Sequence, residues 1–458
     1  MERGKEKMKK RRRILSLVFA ACLVITGIVS GAGVQKAEAA ARTEVIDVTD
    51  YGVYPDSGKD SAIGIQKAIA AAKDATKEGK EVKINFPEGR YDIYPDKAIE
   101  RELYVSNTVG ADQNNKMKKI GIFLEDMDHV TVDGNNSLFM FHGKMTTFAT
   151  IGCEDVEFKN FAVDFQVPTV IDMTVESVEG NTATMYIPEC YNYEVAGTTI
   201  KWYSDVSPYT GQRYWSISDL SGYHTQREDT VQGIKFGAGN GNAALKGVAS
   251  IEDLGNHRVK ITYNSKAGEV QNGMCFQSRP TVRDHAGTFF WKSKDIKMTS
   301  LDIQFLHGFG MVGQHSENIT MEDVDFEAPK ESGRTTAGYA DFVQMSGCKG
   351  AININNCTFA GPHDDPINIH GTFNTVTSIS SDRRTITVQY NHHETAGFPN
   401  FFEGDEIEFM TKGNMITVEN SVRTVTKVDG PDGMGGNMGE GSGSLTTIKL
   451  TLDKAIPA

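Results

Sequence analysis

Asp341, in 338-GYADFVQMSGCKG-350, precedes Asp364 by 23 residues, and Asp365 follows immediately in 361-GPHDDPINIHGT-372. Adjacent carboxylates repel one another at neutral pH, so the pair offers little to stability alone. Repulsion raises the pKa of one member, and two carboxyl groups in unlike environments divide into an acid and a base. Inverting hydrolysis of a glycosidic bond needs that division, because an acid protonates the departing oxygen while a base activates a water on the opposite face. A solvated turn, or half of a calcium site with oxygen ligands, is the competing use of the same residues. Consecutive strand residues point to opposite sides, so both aspartates reach one cleft only where the strand bends. Gly361, Pro362 and Pro366 supply that bend.

Arg334, Gln314 and Asn368 are candidate sugar-contacting groups. His363 and His370 have metal-ligand side chains, but positions i and i+7 on strands face opposite ways. Hydrogen bonding to substrate, or a structural role, is expected of them rather than zinc. The aromatic pairs 202-WY-203 and 214-YW-215 either stack on a sugar ring or pack a small barrel.

A repeat must bring these residues together. The segments starting at Val156, Ile296, Ile319 and Ile352 place apolar residues at offsets 0, 2, 5 and 7: Val156, Phe158, Phe161, Val163, then Ile296, Met298, Leu301, Ile303, and so on to Phe359. Period two marks a strand with one buried face. The step from offset 2 to offset 5 breaks the period where Asn160, Ser300, Asp323 and Asn356 stand, types that tolerate tight bends. From Ile296 to Ile319 to Ile352 the starts follow one another closely, and units so small bury their faces only by stacking. The expected fold is all-β, a parallel β-helix, in which one coil interval brings Asp341 beside Asp364. An antiparallel sandwich explains the alternation but not the repeated corner.

The segment 61-SAIGIQKAIAAAKDATKEGK-80 is the one convincing helix, expected to cover the first coil and its open edge. Residues 40–165 hold this N-terminal cap and the first coils. Residues 166–280 lose the template and read as an all-β insertion. Residues 281–375 return to coils carrying the aspartates, and 376–458 read as a second all-β insertion, apparently incomplete, with the Gly-rich loop 430–444 inside it.

Residues 1–39 read as a signal peptide: a basic block, an apolar run from Ile14 to about Val29, and 37-AEA-39 as the cleavage pattern. An uncleaved anchor, or a lipoprotein through Cys22, is the alternative. Export without stable membrane insertion is expected. Removal takes nine basic and three acidic residues, so the formal net charge of −13 becomes −19. That speaks against nucleic acid, which needs a basic footprint, and mildly against polyanionic sugars, which a local basic cleft could still bind. Cys153, Cys190, Cys275, Cys348 and Cys357 lack CxxC spacing and are expected to be unpaired packing residues.

Taken together, 339-YADFVQMSGCKGAININNCTFAGPHDDPINIHGT-372 and 308-GFGMVGQHSENITMEDVDF-326, with the opening 46-IDVTDYGVYPDSGKDSAIGIQKAI-69, resemble glycoside hydrolase family 110, the exo-acting α-1,3-galactosidases that remove terminal galactose from blood group B type glycans. The resemblance implies a right-handed parallel β-helix with β-barrel insertions, inversion without a metal or other cofactor, and a neutral glycan with terminal α-galactose as partner. It implies Asp341, Asp364 and Asp365 as catalytic, with Asp364 the acid and Asp341 and Asp365 holding the water by analogy to other inverting β-helix hydrolases. It also implies further coils after the second insertion, where 449-KLTLDKAIPA-458 stands. Two alternatives are a polyuronide hydrolase or calcium-dependent lyase on the same scaffold, and a carbohydrate-binding β-helix without turnover.

Overall fold

The computed structural model describes residues 43–108, 116–217, 221–227, 243–265, 267, 270–279, 283–371, 373–391, 400–429 and 447–457. The expected signal peptide and the Gly-rich loop lie outside them.

Successive strands alternate between two mostly parallel sheets. One runs Glu44–Asp47, Val82–Asn85, Asp128–Phe141, Glu154–Phe165, Lys294–Ile303, Glu317–Phe326 and Lys349–Asn355. The other contains Met117–Glu125, Thr146–Ile151, Thr288–Trp291, Met311–Gln314, Val343–Ser346 and Ile367–His370, with Ile99–Glu102 antiparallel at its edge. Each coil gives one strand to each sheet, so the chain winds in a β-helix-like path.

The apolar template sets the register. Val156 lies beside Ile296, Ile296 beside Ile319, and Ile319 beside Ile352; at the far end Val163, Ile303, Phe326 and Phe359 form a matching column. Ile296, Met298, Ile303, Ile319, Met321, Val324 and Phe326 are buried in one continuous core. At roughly 1.5–3 kcal/mol for each large side chain buried, coil-on-coil stacking supplies what a single coil lacks. The corner residues do what their types allow: Asn160, Ser300, Asp323 and Asn356 all sit at positive φ, between 51° and 60°. The backbone thus turns between the two half-strands and sends both apolar pairs inward.

One coil escaped the template. Asp128–Phe141 pairs with Glu154–Phe165, but the register slips between Asp133 and Ser137, where Asn135 and Asn136 take φ of 47° and 67°. The extra residues lengthen its corner and shift Phe139 off the offset of its neighbours.

The helix Ala62–Lys77 turns Ala62, Ile65, Ala68, Ile69, Ala72 and Ala75 into the core beside the first strands. Between Phe165 and Thr288 the chain leaves to form a six-stranded and a three-stranded antiparallel sheet around a separate core. Thr146–Ile151 still pairs with Thr288–Trp291, and Glu154–Phe165 with Lys294–Ile303, so stacking resumes as if nothing had intervened. Trp202 and Trp215 lie buried in that second core, so the two tryptophans pack there, with Tyr214 partly buried against the same core. A five-stranded antiparallel sheet, from Asn374–Ile379 to Thr447–Leu452, has a third core around Ile386, Val425 and Leu450. The five expected cysteines are unpaired.

Because a β-branched residue strains at positive φ by about 1–2 kcal/mol while glycine does not, Ser300→Val is expected to lower unfolding stability by about that amount. Ser300→Gly should stay near wild type, as urea denaturation would show.

Candidate active site

The strand Val343–Ser346 pairs in parallel with Ile367–His370, Val343 opposite Ile367, and the ladder extends back through Phe342 N–H donating to Asp365 O (3.1 Å) and Val343 N–H to Pro366 O (3.2 Å). Asp341 and the aspartate pair therefore enter neighbouring coils side by side. Carried two positions back, the register of Val343 with Ile367 sets Asp341 opposite Asp365, with Asp364 one position earlier. Asn368 joins them: its Nδ2 donates to Asp341 Oδ2 and to Asp365 Oδ2, each at 3.2 Å. Two such bonds from one nitrogen hold those oxygens around a single amide.

The environments are unlike. Asp341 is 3% exposed, whereas Asp364 and Asp365 are open to solvent. Burial, then the charge of Asp364, pushes the Asp341 carboxyl up to about 6; the Asn368 amide and the Arg283 guanidinium pull the other way. The backbone approaches closely here. A Cβ on Gly310 would lie 2.0 Å from the Asp341 carbonyl oxygen, and one on Gly308 would lie 1.9 Å from that of His285, so 308-GFG-310 lets the preceding coils close up against the site.

Of the five candidate substrate contacts, only Asn368 meets the carboxylates. Arg334 is buried and bidentate to Asp164, Nη1 to Oδ1 at 2.9 Å and Nη2 to Oδ2 at 2.7 Å. Gln314 is buried as a clamp, accepting from Ser106 N–H at 2.8 Å and donating to Tyr104 O at 3.0 Å. His363 turns from its aspartate neighbours to Gln277 Oε1 at 2.9 Å, on an insertion strand. His370 stands at the far end of its strand, opposite Ser346, with Nδ1 on Gly371 O. Arg334, Gln314 and His363 are buried, and each takes the polar partner that the surrounding fold presents.

Sequence reasoning missed Arg283 and a polar ladder in the coils behind Asp341. His307 Nε2 meets Asp284 Oδ1 at 2.7 Å, Lys144 Nζ meets Asp284 Oδ2 at 3.2 Å, and the His307 ring packs edge-on to Tyr339 at 5.5 Å. Arg279 lies over the Tyr339 ring at 4.5 Å. The step from Asp284 to His307, which the register of Thr288 with Met311 reproduces, was the available signal. Asp284, His285 and His307 bring ligand-type atoms within 4.8 Å of one another. Lys144 already occupies the carboxylate edge a cation would use. The cluster is a hydrogen-bonded support with its own internal cation.

A coiled parallel-strand scaffold presenting a carboxylate cluster in unlike environments defines a glycosidase-type site. The comparisons agree with that class. Residues 385–432 match the family model described as GLAA-B beta-barrel domain II. The chain is 42% identical to the protein named alpha-1,3-galactosidase A of Streptomyces avermitilis, over 93% of this chain and 68% of that one. It is 39% identical to the protein of the same name from Peterkaempfera griseoplana, covering 90% and 56%, and 31% identical to that from Bacteroides fragilis, covering 82% and 59%. This chain belongs to the alpha-1,3-galactosidase A family, and it spans between half and about two thirds of the length of these relatives. Among solved structures, a putative glycosyl hydrolase from Parabacteroides merdae aligns at TM-score 0.33 and 10% identity, over 71% of this chain and 93% of that one.

Two outcomes follow from the buried charges. Removing one partner of a buried ion pair costs about 3–5 kcal/mol, so Arg334→Met, which strands Asp164, should lower thermal stability steeply in a melt. Asp341 behaves oppositely. Its folded pKa is raised, so the folded state binds the extra proton between pH 3.8 and about 6, and stability falls as pH rises through that window. Asp341→Asn should therefore stabilise the protein by about 1–3 kcal/mol at pH 7. The gain should shrink near pH 4, as denaturant midpoints at both pH values would show.

Proposed function

We propose that this chain is an exported, exo-acting glycoside hydrolase that removes terminal α-1,3-linked galactose from neutral glycans, blood group B type ends among them, with inversion. The names of its relatives support the substrate class. The observation that carries the chemistry is Asp341, buried against Asp364 and held with Asp365 by one amide. On this reading the β-helix is right-handed, the two antiparallel regions are barrels inserted into it, and the helix Ala62–Lys77 caps its first coil.

Burial, with repulsion from Asp364 added to it, keeps a proton on Asp341 below about pH 6. Analogy with other inverting β-helix hydrolases favours Asp364 as the acid. The electrostatics of this chain favour Asp341 instead as the group that holds the proton in the free protein. The acid gives that proton to the glycosidic oxygen as the bond to the anomeric carbon breaks. A water held on the opposite face by Asp365 attacks that carbon and passes its proton to the carboxylate. The strongly acidic net charge keeps nucleic acid and polyanionic glycans away and does not hinder a neutral sugar.

On an α-1,3-galactosyl disaccharide, the wild-type chain should release galactose that appears first as the β-anomer in a time-resolved proton spectrum. Appearance of the α-anomer first would overturn inversion. Asp364→Asn and Asp341→Asn should each cut kcat by about 10²–10⁴. The wild-type rate should decline as pH rises through about 6, a limb that Asp341→Asn should lack. Undiminished turnover in both variants would remove the proposed mechanism.

A further inference from the structure

A cavity of about 460 Å³ lies between the first coils and the insertion, lined by Asp56, Arg90, Asp92, Tyr94, His142, Gln166, Asp205 and Val206. Its size falls inside the range of roughly 300–1,000 Å³ typical of small-molecule sites. It is separate from the carboxylate cluster. From Thr146–Ile151, which follows His142, to Ile367–His370, four parallel pairings intervene, on the order of 19 Å along the stack.

The floor is a rigid ionic array. His142, 4% exposed, bonds Asp205 Oδ2 at 2.5 Å through Nδ1 and Asp92 Oδ1 at 3.0 Å through Nε2, and its ring stacks on Tyr94 at 3.7 Å. Burial opposes protonation of His142, but Asp205 and Asp92 overcome it and its pKa is raised. Arg90 grips Asp92 through Nε and Nη2, and Nη2 also reaches Gln166 Oε1 at 2.8 Å.

What the array leaves over defines the ligand. Among the described residues, Arg90 Nη1, Gln166 Nε2 and the Tyr94 hydroxyl make no hydrogen bond, and Asp56 and Asp205 line the same cavity with acceptor capacity in hand. Three carboxylates along the wall repel an anion. A divalent cation finds Asp92 already bound by Arg90 and His142. A neutral ligand whose groups both donate and accept, with an apolar face for the aromatic ring, satisfies donors and acceptors together. We propose that this cavity is a second carbohydrate site, binding a neutral pyranose independently of the carboxylate cluster. Asp205 and Val206 come from the insertion, Gln166 stands where the chain leaves the coils, and the other lining residues come from the coils or their approach, so the junction of the two regions forms the site.

Val206 is 46% exposed at the cavity wall, so Val206→Trp fills the space and leaves the ionic floor intact. Saturation-transfer NMR of D-galactose against the full chain should show two populations of bound sugar. Val206→Trp should abolish one of them and leave hydrolysis of an aryl α-galactoside unchanged. Gln166→Glu, which keeps the oxygen that Arg90 donates to and removes the Nε2 donor, should weaken that same population about 2–10-fold. Asp364→Asn should retain both. The proposal is overturned if Val206→Trp leaves galactose transfer unaltered, if glycerol competes as well as galactose, or if Val206→Trp lowers turnover in proportion to binding, which would make the cavity part of the hydrolytic cleft.

Discussion

The structure depends on the in-register hydrogen bonding of each coil to the next. A parallel ladder fixes which residue lies above which, so the sequence interval of a coil becomes a column of side chains in space. Along one column the register places Ile296, Ile319 and Ile352 in line. Along another it places Asp341 opposite Asp365. The same bonds therefore build the core and assemble the site. A one-residue slip would exchange inward and outward faces, exposing the apolar column and parting the carboxylates together. Stability and chemistry are not independently adjustable in such a scaffold.

Much of this was legible because the physics is local. Offsets of 0, 2, 5 and 7 record two half-strands and a corner, and Asn160, Ser300, Asp323 and Asn356 record the positive φ that the corner demands. Asp341 and the aspartate pair were legible for the same reason, since one coil interval separates them. The coil Asp128–Phe141 was hidden because its longer corner moved Phe139 off the template without changing what it packs against. The roles of Arg334, Gln314 and His363 were hidden for a different reason. Their partners Asp164, Ser106 and Gln277 lie 170, 208 and 86 residues away, and no periodicity links them. The position of a polar residue on the last coils says little about whether it faces a cleft or an insertion.

The insertion illustrates how a stack of coils tolerates elaboration. Ala149 and Phe289 lie on neighbouring coils with the whole insertion between them in sequence, yet their pairing matches that of the uninterrupted coils. Polar contacts anchor the insertion: Ser207 and Tyr214 to Asp96, Tyr209 to Asp60, and Asp205 to His142. Such contacts are directional, so they orient the inserted sheets without merging the two cores. They also leave a polar seam, and polar seams enclose cavities that hydrogen-bonding ligands can fill.

The carboxylate cluster carries the opposite logic. Asn368 satisfies two carboxylates with one amide, and Arg283 supplies only a partial counter-charge to Asp341. A scaffold selected for stability alone would have placed a full ion pair there, as it did with Arg334 and Asp164 in the coils behind. A fully paired Asp341 would sit at a low pKa. The incompletely neutralised carboxylate is instead raised to about 6 and is destabilising above that pH, the kind of perturbed group that clusters at functional sites.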